Sequence, residues 1–390
     1  MSRRKKIISS IIVILCMPVL LVADDSCLIV KIIDECAINR FAKLDDDEVA
    51  WRCSGAIYYQ SLTSGEIINL SDGISGFHGI PCISDGQVAW RVWDGAERTY
   101  IYFWDGNETK IVADFPAGDF PMPWGYPPSY HSVDVSLDHG HIAYAGWDGS
   151  DYEIFLFDGE NVHRITDNSR DDYEPQLCSG QIAWTADMGE GEDIFFWNGN
   201  SIQNVSNRPN STDQDPHLMN GTIAWCGWNS ETGSDIYYWG GQTTTVISLP
   251  GNDYEPQIDN SGTFVTWDNK WSDQYDVYVW DRQNIITLAS SPDYTEISPF
   301  ANLGKIIFSK HNGSGYDIYL AEFKSQADFD GDGDVDGSDL AVFAEDFGRT
   351  DCDIGPECEG DFDDDNDMDG SDLALFATDF GRTRCTTWEY

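Results

Sequence analysis

The chain has 390 residues, enough for two or more domains with a sizeable hydrophobic core. Its 22 lysines and arginines stand against 68 aspartates and glutamates, which gives a net charge of −46. Because phosphate backbones bind clustered cations, this charge balance excludes nucleic acid as an expected partner. Such acidity suits a cation-rich exterior, or simply solubility.

The first residues predict a secretory signal peptide. Residues 3–6 are all basic, a mostly apolar run extends over residues 7–22, and Ala23 is a small residue suited to cleavage. A retained membrane anchor is the alternative, although the run is slightly short for a span. We therefore expect removal of residues 1–23, a secreted or cell-surface protein, and no integral membrane span afterwards. In an exported protein, some of the nine cysteines that remain should pair.

A repeat of about 40 residues dominates residues 47–323. Each copy begins with a short apolar strand, and this strand occurs seven times: EVAW (48–51), QVAW (87–90), HIAY (141–144), QIAW (181–184), TIAW (222–225), TFVTW (263–267) and KIIF (305–308). A second strand such as DIFFWNG (193–199) and a weaker third strand follow, and then a proline-containing turn such as DDYEPQL (171–177). The β-branched and aromatic residues favour strands, and no helical periodicity appears.

Short strands in such units cannot bury both of their faces alone, whereas units arranged radially cover one another. We therefore predict a mainly β fold, a β-propeller of about seven four-stranded blades over residues 25–324. An early segment, 28–34 or 37–41, would supply the last strand and close the ring. Two linear sandwiches are the alternative. The pattern G-x-I-A-W … D-I-Y-x-W-D-G … Y-E-P-Q-L resembles the TolB-like (WD40-like) β-propeller repeat.

Some residues recur in every blade and others break the repeat. An acidic residue before the second strand recurs, which predicts a structural role in the turn: Glu153, Asp193, Asp235, Asp276 and Asp317. By contrast, an insertion between residues 110 and 140 carries Phe115 and four further aromatics that predict a stiff ligand platform or, alternatively, packing over a blade edge: Phe120, Trp124, Tyr126 and Tyr130.

Two further sets of polar residues are candidates for binding. Glu174, Asp215 and Glu255 occur once per blade at the proline turn, where they would either face the central channel or only cap turns. His139 and His141, with His131 nearby, are a weak metal candidate, and ordinary surface histidines are the favoured interpretation.

Two acidic stretches near the C-terminus, beginning at residues 328 and 361, match the oxygen-ligand spacing of EF-hand calcium loops. The predicted metal ligands of the first loop are Asp328, Asp330, Asp332, Asp334, Asp336 and Asp339, and those of the second are Asp361, Asp363, Asp365, Asp367, Asp369 and Asp372. Asn366 replaces the usual glycine, which is tolerable because Asn adopts left-handed backbone angles readily. A disordered acidic tail is the alternative, but 17 of 22 residues are identical between the two copies.

An amphipathic helix follows each loop, at residues 338–348 and 371–381. One face of each carries the apolar residues: Leu340, Phe343, Ala344 and Phe347 in the first, and Leu373, Phe376, Ala377 and Phe380 in the second. This duplicated loop-then-helix over residues 327–390 resembles the dockerin type I domain. The resemblance implies a small helical domain that folds on binding two Ca²⁺ and docks onto a cohesin module.

Two details qualify that resemblance. Many dockerins carry a Ser-Thr pair at loop positions 10 and 11, whereas this chain has Gly337-Ser338 and Gly370-Ser371, so the identity of a cohesin partner does not carry over. Cys352, Cys358 and Cys385 lie in the same region, and we expect a disulfide among them, with free thiols as the alternative.

The sequence favours a binding protein over an enzyme without excluding the latter. It contains no G-x-S-x-G or H-E-x-x-H motif, and 68 acidic residues prevent the choice of a catalytic pair. Because the units repeat evenly, we expect the propeller to bind a polysaccharide or protein ligand. A dockerin-tethered polysaccharide-degrading hydrolase or lyase is the alternative.

Overall fold

A computed structural model describes the chain over residues 27–36, 39–116, 135–208, 211–230, 233–247, 249–259, 264–271, 274–282, 284–291, 294–302, 305–323, 327, 329, 335, 337–352, 358, 360–362 and 366–379. The predicted signal peptide and the aromatic platform at Phe120, Trp124, Tyr126 and Tyr130 lie outside these residues. Within the described ranges, neither of the two short helices is long and apolar enough to cross a membrane.

Seven antiparallel units follow one another, each with an inner, a second, a third and an outer strand. The strand β1 (Cys27–Cys36) precedes them. The first four units are β2 (Asn39–Asp45), β3 (Glu48–Cys53), β4 (Ala56–Ser61) and β5 (Ile67–Asn69); β6 (Phe77–His78) with β7 (Cys82–Ser84), β8 (Gln87–Trp93), β9 (Arg98–Trp104) and β10 (Thr109–Pro116); β11 (Val135–Asp138), β12 (His141–Trp147), β13 (Tyr152–Phe157) and β14 (Val162–Arg164); and β15 (Asp172–Cys178), β16 (Gln181–Asp187), β17 (Glu192–Trp197) and β18 (Ile202–Asn204).

The last three units complete the series. They are β19 (Thr212–Met219), β20 (Thr222–Asn229), β21 (Gly233–Trp239) and β22 (Thr244–Ile247); β23 (Asn252–Ile258), β24 (Val265–Trp271), β25 (Gln274–Trp280) and β26 (Ile285–Ala289); and β27 (Glu296–Asn302), β28 (Lys305–His311) and β29 (Tyr316–Phe323). The seventh unit takes β1 as its outer strand, since β1 pairs antiparallel with β29. The segment 28–34 therefore supplies the missing strand, as one of the two sequence alternatives predicted.

The units are arranged in a ring of open sheets. Each inner strand contacts the next one, from β2 to β7, β11, β15, β19, β23 and β27, and β27 in turn contacts β2. Side chains reinforce the junction between the last and first units, because Asn302 donates its side-chain amide to Leu44 O at 3.0 Å and to Asp45 at 2.9 Å. Lys305 adds an ion pair with Asp47 at 2.7 Å.

Every unit buries an aromatic ring of its second strand against one of its third strand. The pairs lie directly opposite each other in the register, with ring centres 5.5–6.1 Å apart: Trp51–Tyr58, Trp90–Tyr102, Tyr144–Phe155, Trp184–Phe195, Trp225–Tyr237, Trp267–Tyr278 and Phe308–Tyr319. Cross-strand aromatic pairs of this kind stabilise a sheet beyond the burial of their area. The recurring W, Y or F of the sequence repeat thus forms the core between neighbouring units.

The predicted proline turns are strands, so that part of the sequence interpretation was wrong. The stretch DYEPQLC is β15, and its counterparts are the inner strands β19, β23 and β27. In each, the ladder to the second strand is interrupted by a bulge at the proline. Proline has no N–H to donate, so it occupies the bulge and the strand continues beyond it.

The C-terminal region forms two helices around a small core. Helix α1 spans Gly337–Asp346 and helix α2 spans Gly370–Asp379. The buried core residues are Ala327, Val335, Phe343, Met368 and Phe376. Of the predicted apolar faces, Phe343 and Phe376 are buried, whereas Leu340, Phe347 and Leu373 are exposed, and Phe380 lies outside the described residues. A disulfide joins Cys352 to Cys358, within the predicted trio.

Candidate functional site

One residue of each inner strand occupies the same register position around the ring. Each of these residues pairs with the second-strand residue that comes just before the stacked aromatic. We call them the axial ring: Lys43, Cys82, Ser136, Gln176, His217, Gln257 and Phe300. Several of them tie neighbouring units together. Ser136 Oγ accepts the Leu177 N–H at 2.9 Å, and His217 Nδ1 accepts the Ile258 N–H at 3.0 Å.

The axial ring carries one cation and one neutral imidazole. Burial lowers the pKa of Lys43, whereas the nearby Cys82 and Glu255 oppose that shift. The Lys43 ammonium lies 4.3 Å from the centre of the Phe300 ring, a cation–π geometry. Burial lowers the pKa of His217 to about 3, so its ring is neutral at pH 7 and carries its proton on Nε2.

A second group of residues, the bulge ring, lies two positions before the axial ring in the last four units. Its members are Glu174, Asp215, Glu255 and Ser298, each with φ between 50° and 56°. Non-glycine residues seldom adopt such left-handed angles, and here the bulge and the following proline impose them in four successive units. All four line the same axial cavity, so of the two sequence alternatives the structure favours the one in which Glu174, Asp215 and Glu255 face the channel.

The axial cavity has a volume of about 50 Å³ open to water-sized groups. Besides the bulge ring, its walls include Lys43, Gln176 and Gln257. Burial raises the pKa of Asp215 well above its usual range, and the charges of Glu174 and Glu255 add to that effect. The cavity therefore carries an excess of carboxylates over cations in a volume that suits a small polar group.

Other polar residues singled out from the sequence are structural. Asp193 accepts the Asn204 side-chain amide at 2.7 Å, and Asp317 accepts that of Asn312 at 3.0 Å. Glu153 groups with Asp148 and Asp151, but Arg164 already donates to Glu153 at 2.7 Å and to Asp148 at 2.8 Å. Thus the chain itself supplies the cation at this acidic group.

The histidine and aromatic candidates do not form a site in the described part of the chain. His139 lies in a turn and contacts its neighbour Asp138, and His141 Nδ1 lies 3.3 Å from His139 O. Among the described residues, no metal-sized group includes a histidine. Phe115 is buried against Tyr144, 5.8 Å between ring centres, so it belongs to the core between the second and third units.

The C-terminal loops can be compared residue by residue where both are described. Asp339 Oδ1 accepts the Phe329 N–H at 2.8 Å, and 33 residues later Asp372 Oδ1 accepts the Phe362 N–H at 2.7 Å. Both carboxylates are fully buried at the start of their helices. The equal bonds show that the two copies share one local structure, with position 12 of each loop turned inward.

The second loop has further features that fit a hard cation. Asp367, Asp369 and Asp372 bring carboxylate oxygens within 4.8 Å of one another. Asp361 Oδ1 is buried without a hydrogen-bond partner among the described residues. Asn366 has φ 72°, the left-handed angle that the sequence predicted for it. Asp328, Asp330, Asp332, Asp334, Asp336, Asp363 and Asp365 lie outside the described residues.

The ring of seven open four-stranded units defines a β-propeller, and comparison with solved structures supports that fold. The β-propeller domain of the Trilobed protease from Pyrococcus furiosus is similar at 11% identity with a TM-score of 0.54, covering 74% of this chain and 93% of that domain. An acylaminoacyl peptidase from Pyrococcus horikoshii is similar at 12% identity with a TM-score of 0.53, covering 73% of this chain and 51% of the peptidase. This chain thus matches about half the length of that enzyme.

A TolB structure from Agrobacterium tumefaciens is similar at 12% identity with a TM-score of 0.41, covering 54% of this chain and 80% of that one. Neither a family model nor a curated protein sequence matches the chain. At these identities the similarity establishes the β-propeller fold alone.

Proposed function

We propose that this is an exported binding protein in two parts. Residues 327–390 hold two Ca²⁺ and dock onto a cohesin-type partner, and the propeller is the recognition module that they attach. The observation that carries the proposal is the duplicated loop–helix, in which Asp339 and Asp372 make the same buried hydrogen bond. A chain with three arginines against 21 acidic residues in this region needs added positive charge to pack.

The donor set fits calcium. The proposed ligands are carboxylate oxygens, which hard cations prefer, and the buried Asp361 Oδ1 lacks a partner that a cation would supply. A bound Ca²⁺ would offset the repulsion among Asp367, Asp369 and Asp372 and hold each loop against its helix. The core of five buried residues is too small to do this alone.

The two helices also offer a docking surface. Leu340, Val342, Phe347, Leu373 and Leu375 are exposed large apolar residues on α1, α2 or the turn that follows α1. A protein partner that covers them would gain from their burial, so this is the surface we assign to the cohesin-type module.

Polysaccharide is the ligand class we propose for the propeller face. Phe77, Trp228 and Trp271 are 63%, 47% and 60% exposed. Phe77, at the start of the inner strand β6, stacks on Trp93 with ring centres 5.2 Å apart. Trp93, Trp228 and Trp271 lie at or near the ends of second strands. The strand β10 ends and β11 begins at this same end of the propeller. Flat exposed rings of this kind stack on sugars.

Calorimetric titration of Ca²⁺ into the chelator-treated full-length protein tests the first part. We expect a stoichiometry near two, and a loss of binding when Asp339 and Asp372 are both replaced by Asn. The absence of heat, or binding that the double variant leaves intact, would disprove the calcium proposal.

For the propeller, the calcium-loaded protein should be incubated with a panel of polysaccharides while pull-down binding and release of reducing ends are both measured. Binding that Trp271→Ala and Trp228→Ala weaken, without release of sugar, supports the binding module. Release of reducing ends would instead favour the alternative, a tethered polysaccharide-degrading enzyme, and no binding at all would reject the ligand class.

A further inference from the structure

The bulge ring and its surroundings contain one break in an otherwise regular arrangement. In the fourth unit, Thr185 lies opposite Tyr173, just before the bulge, and donates its hydroxyl to Glu174 Oε2 at 2.8 Å. The corresponding residues in the fifth and seventh units are Cys226 and Ser309. In the sixth unit this position is Asp268, opposite Tyr254 and beside the bulge residue Glu255.

Asp268 therefore brings a carboxylate where the other three units have a hydroxyl or a thiol. Its side chain is 3% exposed, and its Oδ1 has no hydrogen-bond partner among the described residues. Burial raises the pKa of Asp268 well above its usual range, and the charge of Glu255 is the next cause. Backbone N–H groups, that of Ser298 among them, oppose this shift only in part, and an ionised carboxylate with one unpaired oxygen is costly in a buried site.

The charges around the axial cavity are unequal. Glu174, Asp215 and Glu255 line it, Asp268 stands behind Glu255, and Lys43 is the cation among the described lining residues. Asp215 feels the charges of both Glu174 and Glu255 and, more weakly, that of Asp268. On the side of the fourth to sixth units, ionisation of Asp215 and Asp268 is therefore disfavoured, and a positively charged ligand would favour it by pairing with the carboxylates.

The distances between the carboxylates indicate which kind of cation the cavity could bind. Among the described residues, the groups whose oxygens converge within 4.8 Å do not include these four acids. A bare divalent ion binds oxygens at about 2.4 Å and so needs a tighter cluster. An ammonium or guanidinium group carries several N–H donors in different directions and can reach separate carboxylates. The cavity volume of about 50 Å³ is compatible with such a small head group.

We propose that the axial cavity is a binding site for an ammonium or guanidinium group, held between Glu174, Asp215 and the Glu255–Asp268 pair. The group belongs either to a small amine or to a lysine or arginine side chain of a peptide that crosses the mouth of the ring. This site is independent of the calcium loops and of the aromatic face.

The test uses the full-length protein with saturating Ca²⁺ and calorimetric titration at about 0.15 M salt, where weak surface attraction is screened. The probes are agmatine and the capped peptides acetyl-Gly-Arg-Gly-amide, acetyl-Gly-Lys-Gly-amide and acetyl-Gly-Gln-Gly-amide. We expect one site that takes the charged peptides and not the glutamine peptide. If agmatine binds as tightly as the arginine peptide, the cationic group of a small amine is enough for binding. If the arginine peptide binds more tightly than agmatine, the ligand is a peptide.

Asp268→Ser introduces the residue that Ser309 already provides in the seventh unit, so the fold should tolerate it. We expect Asp268→Ser and Glu255→Gln each to weaken binding at least about tenfold, because each removes a buried charge partner. The matched control is Glu160→Gln, an exposed acid in the turn between β13 and β14, which should leave the affinity unchanged. Equal binding of the arginine and glutamine peptides, or unchanged affinity in both cavity variants, would overturn the proposal.

Discussion

The propeller and the C-terminal region both contain many acidic residues, but they accommodate the repulsion among these residues in opposite ways. In the propeller, each unit buries a stacked aromatic pair, and buried acids such as Asp172 and Asp253 accept hydrogen bonds from tryptophan and asparagine side chains. In the described part of the C-terminal region, the buried core has five apolar residues, and Asp367, Asp369 and Asp372 form an acidic group beside the second helix. The comparison teaches that buried apolar area stabilises the first region, whereas the proposal makes the second region dependent on the cations that its carboxylates would bind.

Removal of calcium gives the largest expected contrast between the two regions. With chelator, we expect residues 337–379 to lose hydrogen-exchange protection, because the repulsion among the loop carboxylates is no longer offset. The second strands of the propeller should keep their protection. Mass-spectrometric exchange on the full-length protein measures both regions in one sample. Full protection of α1 and α2 after chelation would remove the proposed difference between them.

Loss of one aromatic stack should be the largest effect within the propeller. Trp184→Ala and Trp225→Ala each empty a fully buried site, and we expect a loss of about 3–5 kcal/mol in the free energy of unfolding. Trp271→Ala is the matched control, since this ring is exposed and its loss should change stability by less than about 0.5 kcal/mol. Denaturant unfolding measures all three, and a similar small loss in each would show that the stacks are not the main source of stability.

The buried acids of the propeller predict a pH dependence that calcium does not control. Burial raises the pKa of Asp253 to about 6 even though Trp267 and Asn269 donate to its Oδ1 at 2.8 and 2.7 Å. A raised pKa means that the stability associated with the protonated form is present below about pH 4 and is lost as the pH rises through 6.

Asp253→Asn keeps both hydrogen bonds to Oδ1 and cannot ionise, although it loses the bond from the Leu249 N–H to Oδ2 at 3.3 Å at every pH. Relative to the parent protein, the variant should therefore gain stability between pH 4.5 and 7.5, by about 1–3 kcal/mol. Urea unfolding of both proteins at the two pH values, with calcium present throughout, measures this difference. A difference that stays constant with pH would show that Asp253 does not titrate in this range.

The smallest expected effect separates packing from hydrogen bonding within the same stacks. Trp184 Nε1 donates to Asp172 Oδ1 at 3.0 Å, whereas Trp225 Nε1 is buried without a hydrogen-bond partner among the described residues. We expect Trp184→Phe to cost about 1 kcal/mol more than Trp225→Phe, because only the former removes a hydrogen bond. Equal losses in thermal unfolding would contradict this distinction.

The repeat was readable in the sequence because the core position is aromatic in all seven units and always follows a small or β-branched residue. The inner strand was missed because Glu174, Pro175 and Gln176 break the period-two pattern of β15. The apolar residue near the end of each inner segment, such as Leu177 or Ile258, was the sequence signal that could have identified these segments as strands. Four-stranded units also require one more strand than the sequence reading assigned.

The candidate sites were predictable to different degrees. The calcium spacing is local, so residues such as Asp361 and Asp372 could be placed from sequence, and the left-handed angle of Asn366 followed from residue type. Asp268 was not predicted as a site residue from the sequence, because its proposed role in binding depends on which residues lie opposite it at the bulge. Leu340 and Leu373 have the spacing of core residues but are exposed. Their exposure depends on how much of the protein packs against each helix, and the periodicity of the sequence does not contain that information.

The position of β29 has a mechanical consequence for a protein anchored through its C-terminus. This strand leads toward the C-terminal region and is flanked by β28 on one side and β1 on the other. A pulling force applied at residue 323 must break the hydrogen-bond ladders on both sides of β29 together. A strand at the edge of a sheet would instead lose its hydrogen bonds one at a time. Under the proposed attachment, the early strand would thus fasten the whole ring to its tether, and the proposed signal-peptide cleavage before it would leave that attachment intact.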